Sequence, residues 1–181
     1  MRARDLPAPA RVLVDGVGAR ALADSLVAGL VAAGRAPVRV SAGDVLRPAG
    51  QRFEHGREDA QDFRERWLDA GALRREVLEA DGSYLPRLWD ARRERSARAT
   101  VVPLPARAVL VVDGRFLLDH ALPAELVVHV ALSPAALRRR GLPAWQLEAF
   151  ADYDREVRPG EACDVLVRAE DPLRPAVLFR R

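Results

Sequence analysis

Lysine is missing altogether. All 29 basic residues of this 181-residue chain are arginine, so any chemistry that requires an ammonium side chain is closed to it. Cysteine is nearly absent too: Cys163 stands alone, which excludes a disulfide framework. His55, His120 and His129 show no metal-ligand spacing with one another or with Cys163, and no metal site is expected. Long apolar runs are lacking. The most apolar stretch, residues 21–33, is broken by Asp24 and Ser25 and is too short to span a bilayer. Residues 1–5 lead into a strand-like run without the apolar core of a signal peptide, so the cytoplasm is the expected compartment and no membrane partner is expected.

Charge of one sign is also scarce. The net charge is only +3, and residues 87–98, with five arginines against Asp90 and Glu94, carry all of it. This is a local basic patch rather than a basic protein, and a nucleic-acid partner is not the first expectation because no aromatics interleave its arginines. What is present is a globular balance, 49% hydrophobic and 30% charged. A chain of this length buries roughly 70% of its unfolded surface, which suits one domain over residues 1–181.

Residues 11–16 read as a short buried strand ending in a turn. In residues 20–33, Leu22, Leu26, Val27, Leu30 and Val31 recur at helical spacing before Gly34. Strands are predicted over 37–41, 100–104, 108–114, 125–132 and 164–168. Helices are predicted over 58–68, 70–80, 134–140 (capped by Ser133-Pro134) and 143–157. Strands apolar on both faces and separated by helices imply a three-layer α/β/α domain with a mainly parallel sheet. Ligands are then expected at the carboxyl ends of the strands, where Asp15 to Arg20, Gly43-Asp44 and Asp113-Gly114 share one rim.

Three segments on that rim carry a resemblance. They are Val12-Leu13-Val14-Asp15-Gly16-Val17, the stretch from Val38 through Asp44 to Pro48, and Ala108-Val109-Leu110-Val111-Val112-Asp113-Gly114. With Leu88-Trp89-Asp90 and Glu156-Val157-Arg158-Pro159 in the same order, the chain resembles the uridine kinase-like family of P-loop nucleoside kinases. The resemblance implies ATP-dependent phosphorylation of a nucleoside or similar small alcohol, with ATP and Mg²⁺ as cofactors if active. It also implies a substrate-side hairpin over 80–105 and a lid over 138–158, here abridged.

The resemblance assigns roles residue by residue. Gly16, Val17, Gly18, Ala19 and Arg20 stand in the phosphate loop, and Asp113 stands where a carboxylate orients Mg²⁺ through water. Asp44 is the candidate acid/base, one place after the family position, which Gly43 occupies. Asp69 corresponds to a carboxylate near the ribose, Trp89 to an aromatic that stacks on the base, and Arg95, Arg138 and Arg139 to substrate contacts. Trp89 beside Leu85 and Leu88 reads more readily as a core anchor, and Arg138 to Arg140 more readily as a solvated run.

The phosphate loop departs from its pattern. Counted from Gly16, the Gly, Lys and Ser/Thr of a phosphate loop fall on Ala21, Leu22 and Ala23. Transfer is therefore expected to be impaired or lost, with residual binding of a nucleotide or phosphorylated metabolite. Two other readings stay open: an active kinase using Arg20 and Asp44 in a remodelled site, and a nucleic-acid or protein scaffold using residues 87–98. The sequence does not specify an oligomeric state.

Overall fold

The structure is a computed structural model, and it describes residues 9–171 and 174–180. Residues 1–8, on which the leader argument turned, lie outside the described residues. In chain order the elements are β1 (Ala10–Gly16), α1 (Ala19–Ala32), β2 (Ala36–Ser41), α2 (Ala49–Arg52), α3 (Ala70–Leu73), β3 (Ser83–Tyr84), β4 (Trp89–Asp90), β5 (Arg95–Ser96), β6 (Val102–Pro103), β7 (Ala108–Gly114), β8 (Leu126–Ala131), α4 (Pro134–Arg139), α5 (Ala144–Glu156), α6 (Pro159–Ala162), β9 (Val165–Arg168) and β10 (Ala176–Phe179). The main sheet has the order β10-β9-β8-β1-β7-β2. Its strands pair in parallel except β10, which runs antiparallel to β9.

Period-two alternation explains the layering. Leu13, Val38, Val40, Leu110 and Val112 face one way, onto Leu73, Val77, Leu78 and Leu117. Val12, Val14, Val109, Val111, Val128 and Val130 face the other way, onto Ala19, Ala23 and Leu30 of α1. Each such residue fully buried contributes about 1.5–3 kcal/mol, which is why the central strands tolerate almost no polar residue. A third cluster, Phe63, Phe116, Leu132, Leu137, Phe150 and Tyr153, closes the carboxyl end of the sheet. None of the described helices is long and apolar enough to cross a membrane.

Local chemistry sets the boundaries. Gly34 and Arg35 donate their N–H groups to Val31 and Leu30, a Schellman stop for α1. The Ser133 hydroxyl accepts from the Ala136 N–H at 3.2 Å with Pro134 in the first turn of α4.

Where the sequence predicts an ordinary helix over 58–68, the chain forms a π-type turn, Asp62–Arg66. The helix predicted over 70–80 likewise runs from α3 into a second such turn, Arg74–Leu78. Both close on i→i+5 bonds, from Trp67 to Asp62 and from Glu79 to Arg74. The stretch predicted over 100–104 pairs for only two residues, with β3. The antiparallel edge strand β10, a four-residue apolar run that lies exposed, is not foreseen.

The turn between β1 and α1 is held by two glycines. Gly16 (φ +107°) packs so closely that a Cβ would lie 2.4 Å from the Val130 carbonyl oxygen, and Gly18 (φ +101°) begins α1 in a backbone region L side chains avoid. Gly16→Ala is therefore expected to cost at least ~2 kcal/mol of unfolding free energy. Gly29→Ala, where a Cβ meets nothing within 4 Å, is expected to gain up to ~1 kcal/mol. Urea midpoints at unchanged slope would show the two shifts in opposite directions, and equal midpoints would contradict the account of the turn.

Candidate functional site

A cavity of about 310 Å³ opens at the carboxyl ends of β1, β2 and β7. Gly16, Gly18, Ala19 and Arg20 form its floor, and Ser41, Ala42 and Gly43 one wall. Phe63, Trp67 and Leu68 form an apolar wall, while Asp113, Gly114, Arg115 and Phe116 complete it. The strand-to-helix turn is two residues long, Val17 and Gly18, since β1 ends at Gly16 and α1 begins at Ala19. The first N–H groups of α1 have no intrahelical partner and carry the positive end of its dipole.

The cations around this floor differ in what they hold. Arg64 is buried, with its Nε and Nη2 2.7 and 2.8 Å from Asp119 and its Nη1 2.6 Å from Glu156. Those bonds raise its pKa against the opposing effect of burial, and its charge is spent. Arg20 and Arg115 have no carboxylate partner among the described residues. Arg115 instead lies with its guanidinium 5.8 Å from the Phe63 ring centre, and burial lowers its pKa from the ordinary value. Arg140 reaches back over the turn, with Nη1 3.5 Å from the Val17 carbonyl and Nη2 3.4 Å from that of Ala169.

Similarity to known proteins enters through shape alone. No protein-family model matches this chain, and no curated protein matches it. A structure named as a possible uridine kinase from Bacillus stearothermophilus superposes with a TM-score of 0.73 at 18% identity over 90% of each chain. Another, provisionally named a fructose transport system kinase from Silicibacter sp. TM1040, gives 0.57 at 18% identity over 88% of this chain and 87% of its own.

The chain has the uridine kinase-like P-loop kinase fold.

The resemblance seen in sequence implies ATP and Mg²⁺, and the residues here do not fit the metal. Asp113, only 4% exposed, accepts from Arg39 Nε at 3.1 Å and Nη2 at 2.9 Å, with the Ser41 hydroxyl 3.4 Å away. The remaining Arg39 nitrogen is bonded to Asp24 on α1. The carboxylate that would orient a hydrated ion is thus occupied by a guanidinium. Ala23 supplies no hydroxyl ligand, and no cluster of three or more His, Cys, Asp or Glu among the described residues could hold a metal ion.

Of the residues singled out from sequence, Gly16, Gly18, Ala19, Arg20 and Asp113 meet in the cavity, while Val17 is absent from its lining and borders a second, smaller hollow beside β8. Asp44 is outside the lining and is bonded to Arg87 of the hairpin at 2.8 Å. Asp69 caps α3 by accepting from the Ala72 N–H at 2.9 Å. Trp89 and Arg95 sit in the β4–β5 hairpin, and Arg138 and Arg139 lie exposed on α4. Where the resemblance implies a lid, a short link joins α4 to α5. The aromatics lining the cavity are Phe63, Trp67 and Phe116, not Trp89; Trp67 stands edge-on to Phe63 at 4.8 Å, with its indole N–H buried and unpartnered.

Sequence reading also misses a buried hub. Asp15, fully buried, accepts from the Leu117 N–H at 2.9 Å and the Tyr153 hydroxyl at 2.9 Å, and its other contact is His129 Nδ1 at 2.7 Å. The β1–β8 register sets Asp15 opposite His129. The one available signal was a histidine inside an otherwise apolar strand.

Burial, then the adjacent Asp15 charge, raise the Tyr153 pKa far above the ordinary value near 10. The unfolded chain ionises this phenol above about pH 10 while the folded chain keeps it neutral, so stability falls as pH rises through that value. Wild type and Tyr153→Phe are expected to give the same tyrosinate absorbance up to alkaline unfolding. A lower signal in the variant before unfolding would contradict this environment.

Proposed function

We propose that this chain binds a nucleotide or phosphorylated metabolite at the β1–α1 turn and has weak or no phosphoryl-transfer activity. The observation that carries this reading is the contrast within one cavity between anion-binding groups and a dismantled transfer apparatus. The N–H groups of Ala19 and Arg20, with the side chains of Arg20 and Arg115, offer an anion several donors at a helix N-terminus. The two-residue turn is three residues shorter than a phosphate loop counted to Gly18, and it cannot wrap successive N–H groups around a β-phosphate.

Magnitudes support the loss of transfer. Phosphoryl transfer rests almost wholly on positioning and charge stabilisation, and each missing contact typically costs about 10²–10³ in rate. The chain has no lysine, no metal-binding hydroxyl at Ala23, and its candidate acid/base Asp44 is held by Arg87. Non-additivity softens the product, yet little advantage over water remains. The second reading, a remodelled kinase, needs Asp44 released from Arg87.

Isothermal titration with uridine monophosphate, and with Mg·ATP in the presence and absence of uridine, tests the proposal. Monophosphate binding is expected, and Arg20→Ala or Arg115→Ala is expected to weaken it about tenfold or more each, the worth of a charge-assisted hydrogen bond. Turnover of Mg·ATP abolished by Asp44→Asn would replace this reading with the remodelled kinase.

A further inference from the structure

We propose that the cavity recognises a phosphate monoester dianion without any divalent metal, Arg39 cancelling the Asp113 charge that a metal would otherwise have to meet. This rests on the phosphate-binding reading above and narrows it to a ligand class and an ionic requirement. Asp113 is engaged by two nitrogens of Arg39, whose third bonds Asp24, while the Arg20 carbonyl also accepts from Arg39 at 3.2 Å. Every nitrogen of that guanidinium is therefore committed within the protein. Arg64 is paired with Asp119 and Glu156. Asp24 and Glu156, the second carboxylates on Arg39 and Arg64, lie exposed to water and outside the cavity lining, so Arg20 and Arg115 are the two lining cations without a carboxylate partner among the described residues.

A phosphate monoester carries about −1.5 to −2 charges near neutral pH, which two guanidiniums balance without help. A triphosphate brings more negative charge than the cavity holds positive and would need a metal that Asp113 is not free to orient. Size points the same way. At about 310 Å³ the cavity lies at the small end of ligand pockets, roughly 300–1,000 Å³, room for one compact ester rather than a donor and an acceptor together. The apolar wall of Phe63, Trp67 and Leu68 suits a planar or apolar organic part on that ester.

The test uses the full chain with uridine monophosphate, inorganic phosphate and Mn²⁺ as probes. Wild-type affinity for uridine monophosphate is expected to agree within about twofold between excess EDTA and millimolar MgCl₂, and wild type is expected to bind no Mn²⁺ by the spin-resonance signal of the free ion. Arg39→Ala exposes Asp113 to the ligand, so its affinity in EDTA is expected to fall about tenfold or more and to recover with Mn²⁺. Arg39→Ala combined with Asp113→Ala is expected to restore metal-free binding, which separates charge cancellation from damage to the fold.

Monophosphate binding that disappears in EDTA, or Mn²⁺ bound by wild type, would overturn the inference. So would an Arg39→Ala protein, folded by circular dichroism, that neither loses affinity in EDTA nor gains Mn²⁺. Wild type that binds neither uridine monophosphate nor phosphate with or without metal would instead remove the phosphate-binding reading, and the ligand class with it. The Mn²⁺ arm would still decide whether Arg39 excludes a metal from Asp113.

Discussion

Two carboxylates, Asp24 on α1 and Asp113 at the end of β7, converge on the guanidinium of Arg39 from β2, and the turn between β1 and α1 is pinned in the process. Ion pairs taken out of water stabilise a fold only when their remaining hydrogen-bonding capacity is used. Arg39 meets that condition, with three nitrogens engaged and the Arg20 carbonyl as a further acceptor. The register makes the contact unavoidable: β2 and β7 pair with Arg39 opposite Val111 and Ser41 opposite Asp113. A side chain as long as arginine, leaning along the strand, spans the two-residue offset, which keeps both side chains on one face of the sheet. The pair fixes α1 against the sheet and also determines which charges the cavity presents.

A second buried carboxylate completes the scaffold. Asp15 joins β1 to the segment after β7 through the Leu117 N–H, to β8 through His129 and to α5 through Tyr153. Phe116, beside that N–H, has a left-handed backbone at φ +61°, a conformation costing of order 1–3 kcal/mol that persists only where its surroundings over-determine it. The bond from Leu117 to Asp15 and the edge-on packing of Phe116 on Tyr153 at 5.1 Å supply that constraint. They also carry the neighbouring Arg115 to the cavity mouth. Arg115, one of the two cations proposed to meet phosphate, is thus placed by a network of residues around Asp15.

Much of the fold was legible because the central strands obey one simple rule, apolar residues on both faces. Residues 108–114 and 37–41 announce buried strands, Gly34 a helix stop and Ser133-Pro134 a helix start, and the structure agrees at each. Gly16, Gly18, Arg20 and Asp113 were legible at the rim because strand ends can be counted. Arg39, Arg115 and Trp67 were not. Their importance comes from the β2–β7 register, a left-handed residue at 116 and a π-type turn that swings Trp67 toward the cavity, and none of these has a one-dimensional pattern. Trp89 drew attention for its neighbours in sequence, yet the short β4–β5 hairpin keeps it away from the cavity lining.

We propose that this cavity holds phosphate without the means to transfer it. A single-turnover experiment addresses this most directly: protein in excess over terminally labelled Mg·ATP, saturating uridine, quenched at intervals over hours. The account predicts label remaining in ATP at the rate of a protein-free control. Label appearing in uridine monophosphate within seconds to minutes, and vanishing in Arg20→Ala, would contradict it.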